Sequence, residues 1–317
     1  MNCPCICYII YISNHVTGGL MNIGIQLLQY TLSGITIGSI YAMVAIGFNI
    51  IYNSTGIINF AQGDFVMLGG MIAVYFYKSL HVPLFLSGLC SVSIVMCIGM
   101  LFERFAIQIV KNSSIITLII ITIAASILFK GGAMFIWGKD AYILPSFSGD
   151  TPFMLFGATI LPQTLWILGF LFLIVAALTV FFRFTIVGKA MKACSFNKRA
   201  ARIVGINVNR MILLSFALSA LIGGIAGVIV TPITLAHYDR GSLLGLKGFG
   251  TAILGGLGNM EGAIAAGIII GLLECYSAGL ISSGYKDAIA LITLLMVLFF
   301  RPGGIFAKKA EQALKSY

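Results

Sequence analysis

Arg183-Phe-Thr-Ile-Val-Gly-Lys-Ala-Met-Lys-Ala-Cys-Ser-Phe-Asn-Lys-Arg-Ala-Ala-Arg-Ile-Val-Gly-Ile-Asn-Val-Asn-Arg210 carries seven basic side chains and no acid. Apolar runs flank it at 161–182 and 211–232. Each run reaches the roughly 20 residues that a helix needs to cross hydrocarbon. Basic loops between crossing helices are retained on the cytoplasmic side. The stretch therefore reads as a cytoplasmic loop between two crossings, and it orients the chain.

Composition agrees with the bilayer as solvent. Of 317 residues, 60% are apolar and 9% are charged. A soluble domain carries about 25% charged residues, so a soluble enzyme, a disordered chain and a secreted disulfide scaffold are poor fits. The net charge of +10 does not read as nucleic-acid binding, because the first basic residue is Lys78 and the others cluster beside apolar segments. The 37 glycines suit close helix packing in a membrane. The seven cysteines show no Cys-x-x-Cys pair and read as free thiols, with Cys3, Cys5 and Cys7 lacking a histidine at ligand spacing. Residues 1–20 have no positively charged start, so they read as a dispensable extension ahead of Met21 rather than a signal peptide.

The other spans follow by patterning. Apolar segments lie at 27–51, 65–77, 84–102, 114–129, 263–280 and 288–300, and 146–162 reads as an external loop. With 183–210 and the basic C-terminus both inside, the segments after Arg210 leave one crossing missing. The glycine-rich stretch 243–257 supplies it, and at 15 residues it predicts a short, broken or partly unwound crossing. The fold expected is all-α: a polytopic transmembrane bundle of 8–9 crossings, one short and irregular. It comprises a permease domain over 21–307, including the loop 183–210, and a cytoplasmic tail over 308–317. The nine-crossing arrangement puts 13 basic residues inside and six outside, the six being Lys78, Lys130, Lys139, Arg240, Lys247 and Lys286. Gln62-Gly63 and Glu261-Gly262 each open a glycine-bearing apolar helix, a weak internal echo.

Several residues are chemically suggestive. Asn197 can cap a short helix that Gly205 closes, with Ala200, Ala201 and Val204 on one face and Lys198, Arg199 and Arg202 on others. That is a docking element for a partner, or else a plain topogenic loop. Glu274 reads as a pathway residue or as a hydrogen-bonded packing residue, and Asp64 as a cap for the helix at Phe65. Gly34 with Gly38, and Gly223 with Gly227, have the spacing of tight helix packing. A Ser39–His237 hydrolytic pair lacks supporting sequence context.

Gly188-Lys189-Ala190, Ala200-Ala201 and Gly205-Ile206-Asn207 resemble the cytoplasmic coupling motif of ABC permeases that import branched-chain amino acids. Gly38-Ser39-Ile40-Tyr41-Ala42 with Ala45-Ile46-Gly47 resembles that family's first helix. Gly56-Ile-Ile-Asn-Phe-Ala-Gln-Gly63 followed by Asp64 is similar to its Gly-x-x-Asn-Phe-Ala-His-Gly-Glu signature, with Gln62 and Asp64 in place of His and Glu. Leu246-Lys247, Phe249, Thr251-Ala252 and Leu254-Gly255-Gly256-Leu257-Gly258 resemble the second-half signature. Glu274, Tyr285-Lys286-Asp287 and Pro302-Gly303-Gly304-Ile305 continue the match.

The resemblance implies a permease subunit in a bacterial or archaeal inner membrane, working with two ATPase subunits, a second permease and an external binding protein. It implies coupling to the ATPase through Gly188, Lys189, Asn197, Ala200, Ala201 and Gly205. It also offers Asn59, Gln62, Asp64, Thr251, Gly255, Gly256 and Glu274 for the translocation path or its gate. ATP would bind the partners and no cofactor or metal this chain, since Gly138-Lys139-Asp140 lacks the spacing and hydroxyl of a P-loop. Permeases for urea or short amides look alike, and a gradient-driven carrier is the alternative class.

The orientation is directly testable. In a cysteine-free background, single cysteines at Ser195 and Ser148 should react with a membrane-impermeant maleimide from opposite sides of the membrane. Labelling of both from one side would reject the topology.

Overall fold

The computed structural model describes residues 23–110, 113–149, 151–155, 157–301 and 303–306. The expectations for residues 1–20, Met21, Lys111 and the tail 308–317 lie outside the described residues. In chain order the elements are α1 (Ile23–Thr55), α2 (Gln62–Lys78), α3 (Leu84–Phe102), α4 (Ile115–Trp137), β1 (Phe153–Leu155), β2 (Ala158–Ile160), α5 (Pro162–Phe184), α6 (Ile186–Phe196), α7 (Lys198–Ile203), α8 (Val208–Thr234), α9 (Arg240–Gly255), α10 (Met260–Leu280) and α11 (Lys286–Phe300). It is an all-α bundle, as expected.

Why these segments are helical is visible at their ends. Ser114, Thr185, Asn207 and Asn259 each accept a backbone N–H from the first turn of α4, α6, α8 and α10, satisfying donors that a helix start leaves orphaned. Pro162 sits in the first turn of α5, where its missing N–H costs nothing. The segment 146–162, expected as an external loop, contains the antiparallel pair β1–β2, with Phe153 opposite Ile160. Gly157 turns the hairpin at φ +85°. This three-residue pairing is too short to give an alternating pattern.

α1 is the centre of the bundle. Its 33 residues contain no charge, and every residue from Gly38 to Ile51 is buried. A helix that is apolar all round belongs in an interior. Ile167, Leu171, Ile174 and Leu178 of α5 join its core at helical spacing. A second cluster gathers Phe65, Phe102 and Phe216 between α2, α3 and α8. By contrast Phe172 of α5, Phe135 of α4 and Phe299 of α11 are 75–91% exposed. Apolar rings on the outside fit hydrocarbon surroundings.

Backbone-to-backbone contacts at glycine hold the centre together. A Cβ at Gly38 would lie 2.6 Å from Gly267 O, and one at Gly69 would lie 2.6 Å from Gly224 O. The α1–α10 and α2–α8 crossings are therefore small-residue seams, as the spacing of Gly34 with Gly38 and of Gly223 with Gly227 predicts. The two helices of the internal echo, α2 and α10, sit alike: Gly63 abuts Gly245 in α9 and Gly262 abuts Gly255 at the far end of α9.

Among the described residues, seven helical segments are long and apolar enough to cross a membrane. α2, at 17 residues, and α9, at 16, fall outside that set. At 1.5 Å per residue each spans about 25 Å, against a hydrocarbon core of about 30 Å. The segment expected to be broken over 243–257 is regular helix through Gly255, and the break falls at Gly256, where φ is +94°. The glycines do not unwind α9, because they are where its backbone meets α1, α2 and α10.

Gly38→Leu or Gly267→Leu should force these backbones apart and destabilise the protein by about 1–3 kcal/mol or more. Gly132→Ala, whose new Cβ would meet nothing within 4 Å, should leave the melting temperature in detergent unchanged. Equal melting of all three variants would show that the seam is not a stability determinant.

Candidate functional site

The polar interior of the bundle centres on one lysine. Lys247, midway along α9, is the lone charge between Arg240 and Glu261, and its side chain is 11% exposed. Its Nζ donates to Glu274 Oε1 at 2.7 Å and to Tyr41 Oη at 3.0 Å. Tyr41 Oη in turn donates to Glu274 Oε2 at 2.8 Å. Asp287, at the start of α11, brings Oδ1 to 2.6 Å from the same ammonium. Four helices, α1, α9, α10 and α11, thus converge on one cation. Burying such a pair is tolerated only when the partners' hydrogen-bonding capacity is met, and the Tyr41 hydroxyl closes the triangle.

The C-terminal end of α9 is fixed by polar contacts, and its N-terminal end by packing. At its C-terminal end, Gly256 and Gly258 adopt φ of +94° and +92°. Asn49 Oδ1 accepts from Gly258 N at 3.0 Å, and Asn53 Nδ2 donates to Gly258 O at 2.9 Å. Ile305 N donates to Leu254 O at 2.8 Å, so the segment after α11 closes over the same turn. At the N-terminal end Gly241 packs on Asp64 of α2. Asp64 lies in the first turn of α2 but does not cap it: Ala61 holds the cap position, and no side-chain cap bond forms. The expected capping role is therefore corrected to a buried carboxylate whose Oδ1 has no hydrogen-bond partner.

Among the other predicted path residues, Gln62 Oε1 accepts from Ser219 Oγ at 2.6 Å, and the same hydroxyl approaches Gly47 O at 2.8 Å. Asn59 turns its Oδ1 to Ala61 N at 3.2 Å. Thr251 bonds back to Lys247 O within α9. Gly255 and Gly256 form the end of α9, and Glu274 is the buried acid of the cluster. The predicted residues thus fall into separate groups, at the start of α2 and along α9 and α10. Ser39 donates to Ile35 O inside α1 and His237 faces Lys139 O, so they form no hydrolytic pair.

At the other end, α6 and α7 form the predicted short helices. Asn197 Oδ1 caps α7 through Arg199 N and Ala200 N at 2.9 and 3.0 Å, and Gly205 turns the chain at φ +88°. Gly188 packs against the backbone of Phe181 and Phe182, folding α6 back on α5. Lys198 Nζ donates to Thr55 O at 2.7 Å, at the C-terminus of α1. Burial lowers the Lys198 pKa, opposed by Cys194 and reinforced by Arg202. The expected docking face of Ala200, Ala201 and Val204 does not exist as one surface. Ala201 is 4% exposed and packs with Cys194 and Val208, while Ala200 is exposed. A six-residue helix seats one flank on the bundle, and Ala201 is on that flank.

A family model described as the branched-chain amino acid transport system / permease component matches residues 30–298. The chain belongs to this family. Over 296 residues it is 31% identical to the high-affinity branched-chain amino acid transport system permease protein LivH of Escherichia coli (strain K12), covering 89% of this chain and 96% of that one. BraD of Pseudomonas aeruginosa, another such permease protein, is 31% identical over 294 residues with the same coverage. PsaBC from Streptococcus pneumoniae in complex with Fab shares the fold, at a TM-score of 0.52 and 14% identity, over 96% of this chain and 99% of that one. The protein is therefore a multi-pass membrane permease component of an ABC transport system, of the branched-chain amino acid type.

Within this permease the sequence reading missed the role of Lys247, which it counted among the basic residues on the outside, and the contribution of Tyr41 and Asp287. The available signal was a single cation in an otherwise uncharged glycine-rich segment. Its acidic partners lie 27 and 40 residues further along and Tyr41 lies 206 residues earlier, and helix spacing cannot connect residues so far apart.

Lys247→Met should strand Glu274 in the interior and lower stability by about 3–5 kcal/mol. Adding Glu274→Gln should recover most of that loss, since the uncompensated charge is gone. Melting temperatures of the two single variants and the double variant in detergent measure the coupling. Strict additivity would mean that the pair does not interact.

Proposed function

We propose that this permease imports branched-chain amino acids into the cytoplasm. It would receive them from an external binding protein and be driven by ATP hydrolysis on two separate ATPase subunits. A second, homologous permease completes the assembly, which sits in the bacterial or archaeal inner membrane. Family membership and the identity to LivH and BraD support the substrate class. The observation that carries the coupling is a set of exposed apolar side chains on the basic cytoplasmic loop: Phe196 at 58%, Ile203 at 87% and Val204 at 79%. Exposed apolar residues grouped among cations mark a partner surface.

In this reading Ile203 and Val204 enter a groove on the ATPase, with Arg199 and Arg202 meeting acids at its rim. Gly188, Lys189, Asn197, Ala200, Ala201 and Gly205 shape and seat the element rather than touch the partner alone. Asn197 caps α7, and Ala201 locks it to the bundle. Lys198 ties it to α1, so a displacement of α7 reaches the central helix through one hydrogen bond and the packing beneath it. Asn59, Gln62, Asp64, Thr251, Gly255, Gly256 and Glu274 act by setting the position of α2, α9 and α10 around the path.

Ile203→Asp and Val204→Asp should each weaken ATPase binding by about 2 kcal/mol, roughly 30-fold, while membrane insertion is normal. Ala201→Glu should instead lower the melting temperature of the permease itself. Co-purification of the ATPase with each variant, together with uptake in vesicles, checks this. Full ATPase capture by both aspartate variants with normal uptake would remove the coupling role and favour a gradient-driven carrier.

A further inference from the structure

The buried ion cluster is unbalanced. One ammonium, Lys247, faces two carboxylates, Glu274 and Asp287. The two acids are not equivalent. Glu274 is 4% exposed and its two oxygens are hydrogen-bonded to Lys247 and Tyr41. Asp287 is 50% exposed. Its Oδ1 lies 2.6 Å from the ammonium, and among the described residues no second side chain holds it there. Glu274 is thus the fixed counterion and Asp287 the exchangeable one. A half-exposed carboxylate does not face hydrocarbon without a large penalty, so this side of α11 meets water or a polar partner.

Beside these charges runs a groove of about 110 Å³ between α9, α10 and α11, walled by Leu243, Leu246, Ile270 and Leu291. Lys247 and Asp287 line the same groove. An apolar trough with one cation and one exchangeable anion in its wall matches a small solute that is aliphatic along its length and zwitterionic at one end. Sugars and urea have no charge to place there.

We propose that this groove is a transient binding site on the translocation path for an aliphatic α-amino acid. Its ammonium takes the outer oxygen of Asp287, and its carboxylate takes the position beside Lys247 that Asp287 now occupies. The side chain lies along Leu243, Leu246 and Leu291. The solute's ammonium pairs with Asp287 and its carboxylate with Lys247, so each of those charges keeps an opposite partner after the exchange, and Glu274 holds Lys247 in place throughout. This proposal rests on the import of branched-chain amino acids and adds where this chain contacts them.

The test uses the assembled permease–ATPase complex in nanodiscs, without the binding protein, and tritiated L-leucine at equilibrium. Asp287→Asn and Leu291→Trp should reduce leucine binding at least tenfold in complexes that elute as wild type. Ile292→Trp, one residue along α11 and outside the groove, should bind as wild type. Leu291→Ala, which enlarges the trough without crowding it, should raise the ratio of L-phenylalanine to L-valine binding about fivefold. Isovalerate and isopentylamine, each lacking one charge, should compete at least tenfold more weakly than leucine. Wild-type leucine binding by Asp287→Asn and an unchanged preference in Leu291→Ala would overturn the site. Leucine uptake by the wild-type complex with its binding protein is measured in parallel. Normal uptake beside unaffected variants rejects the groove alone, whereas absence of any branched-chain uptake rejects the import reading beneath it.

Discussion

Close approach of helix backbones at α9 is the constraint on which the arrangement depends. α9 has Gly63 of α2 at one end, Val44 of α1 against Gly248 at its middle, and Gly262 of α10 at the other end. At Gly63–Gly245 and Gly262–Gly255 the approach leaves no room for a Cβ, which explains the glycines on both partners, while at Gly248 the missing side chain makes room for that of Val44. In a membrane, where lipid tails are as apolar as leucine, packing rather than water exclusion drives helix association. The glycine contacts are therefore the main source of specificity in the centre, and they place Lys247 within reach of three other helices.

A buried ion pair in such surroundings is costly by itself. It is sustained because Lys247, Glu274 and Tyr41 satisfy one another and because α9 is held at both ends, by Asn49 and Asn53 near Gly258 and by Asp64 near Gly241. An element pinned by a few polar contacts and backbone seams has discrete positions rather than a continuum.

The α6–α7 element shows the same economy at a different scale. α7 is too short to be stable alone, and it persists because Asn197 caps it, Ala201 packs under it and Lys198 anchors it to Thr55. The residues left over, Ile203 and Val204, project outward. The same sequence motif thus separates into residues that seat the helix and residues that face outward, a division that a helical wheel of six positions does not reveal.

Much of the architecture was legible without coordinates. Apolar runs and basic clusters determine a helical membrane bundle and its orientation signals, because hydrophobic length and loop charge act locally along the chain. Cap residues such as Asn197 and the glycine pairs of α1 and α8 were readable for the same reason. The family signature was also in the sequence, including Lys247, Glu274 and Asp287 as separate matches. Tertiary structure alone decided that these three meet, that Asp64 is buried rather than a cap, that Ala201 faces inward, and that α9 is regular to Gly255. Each of these depends on which helix lies opposite, and a sequence period encodes which face of a helix is apolar but not which neighbour it meets.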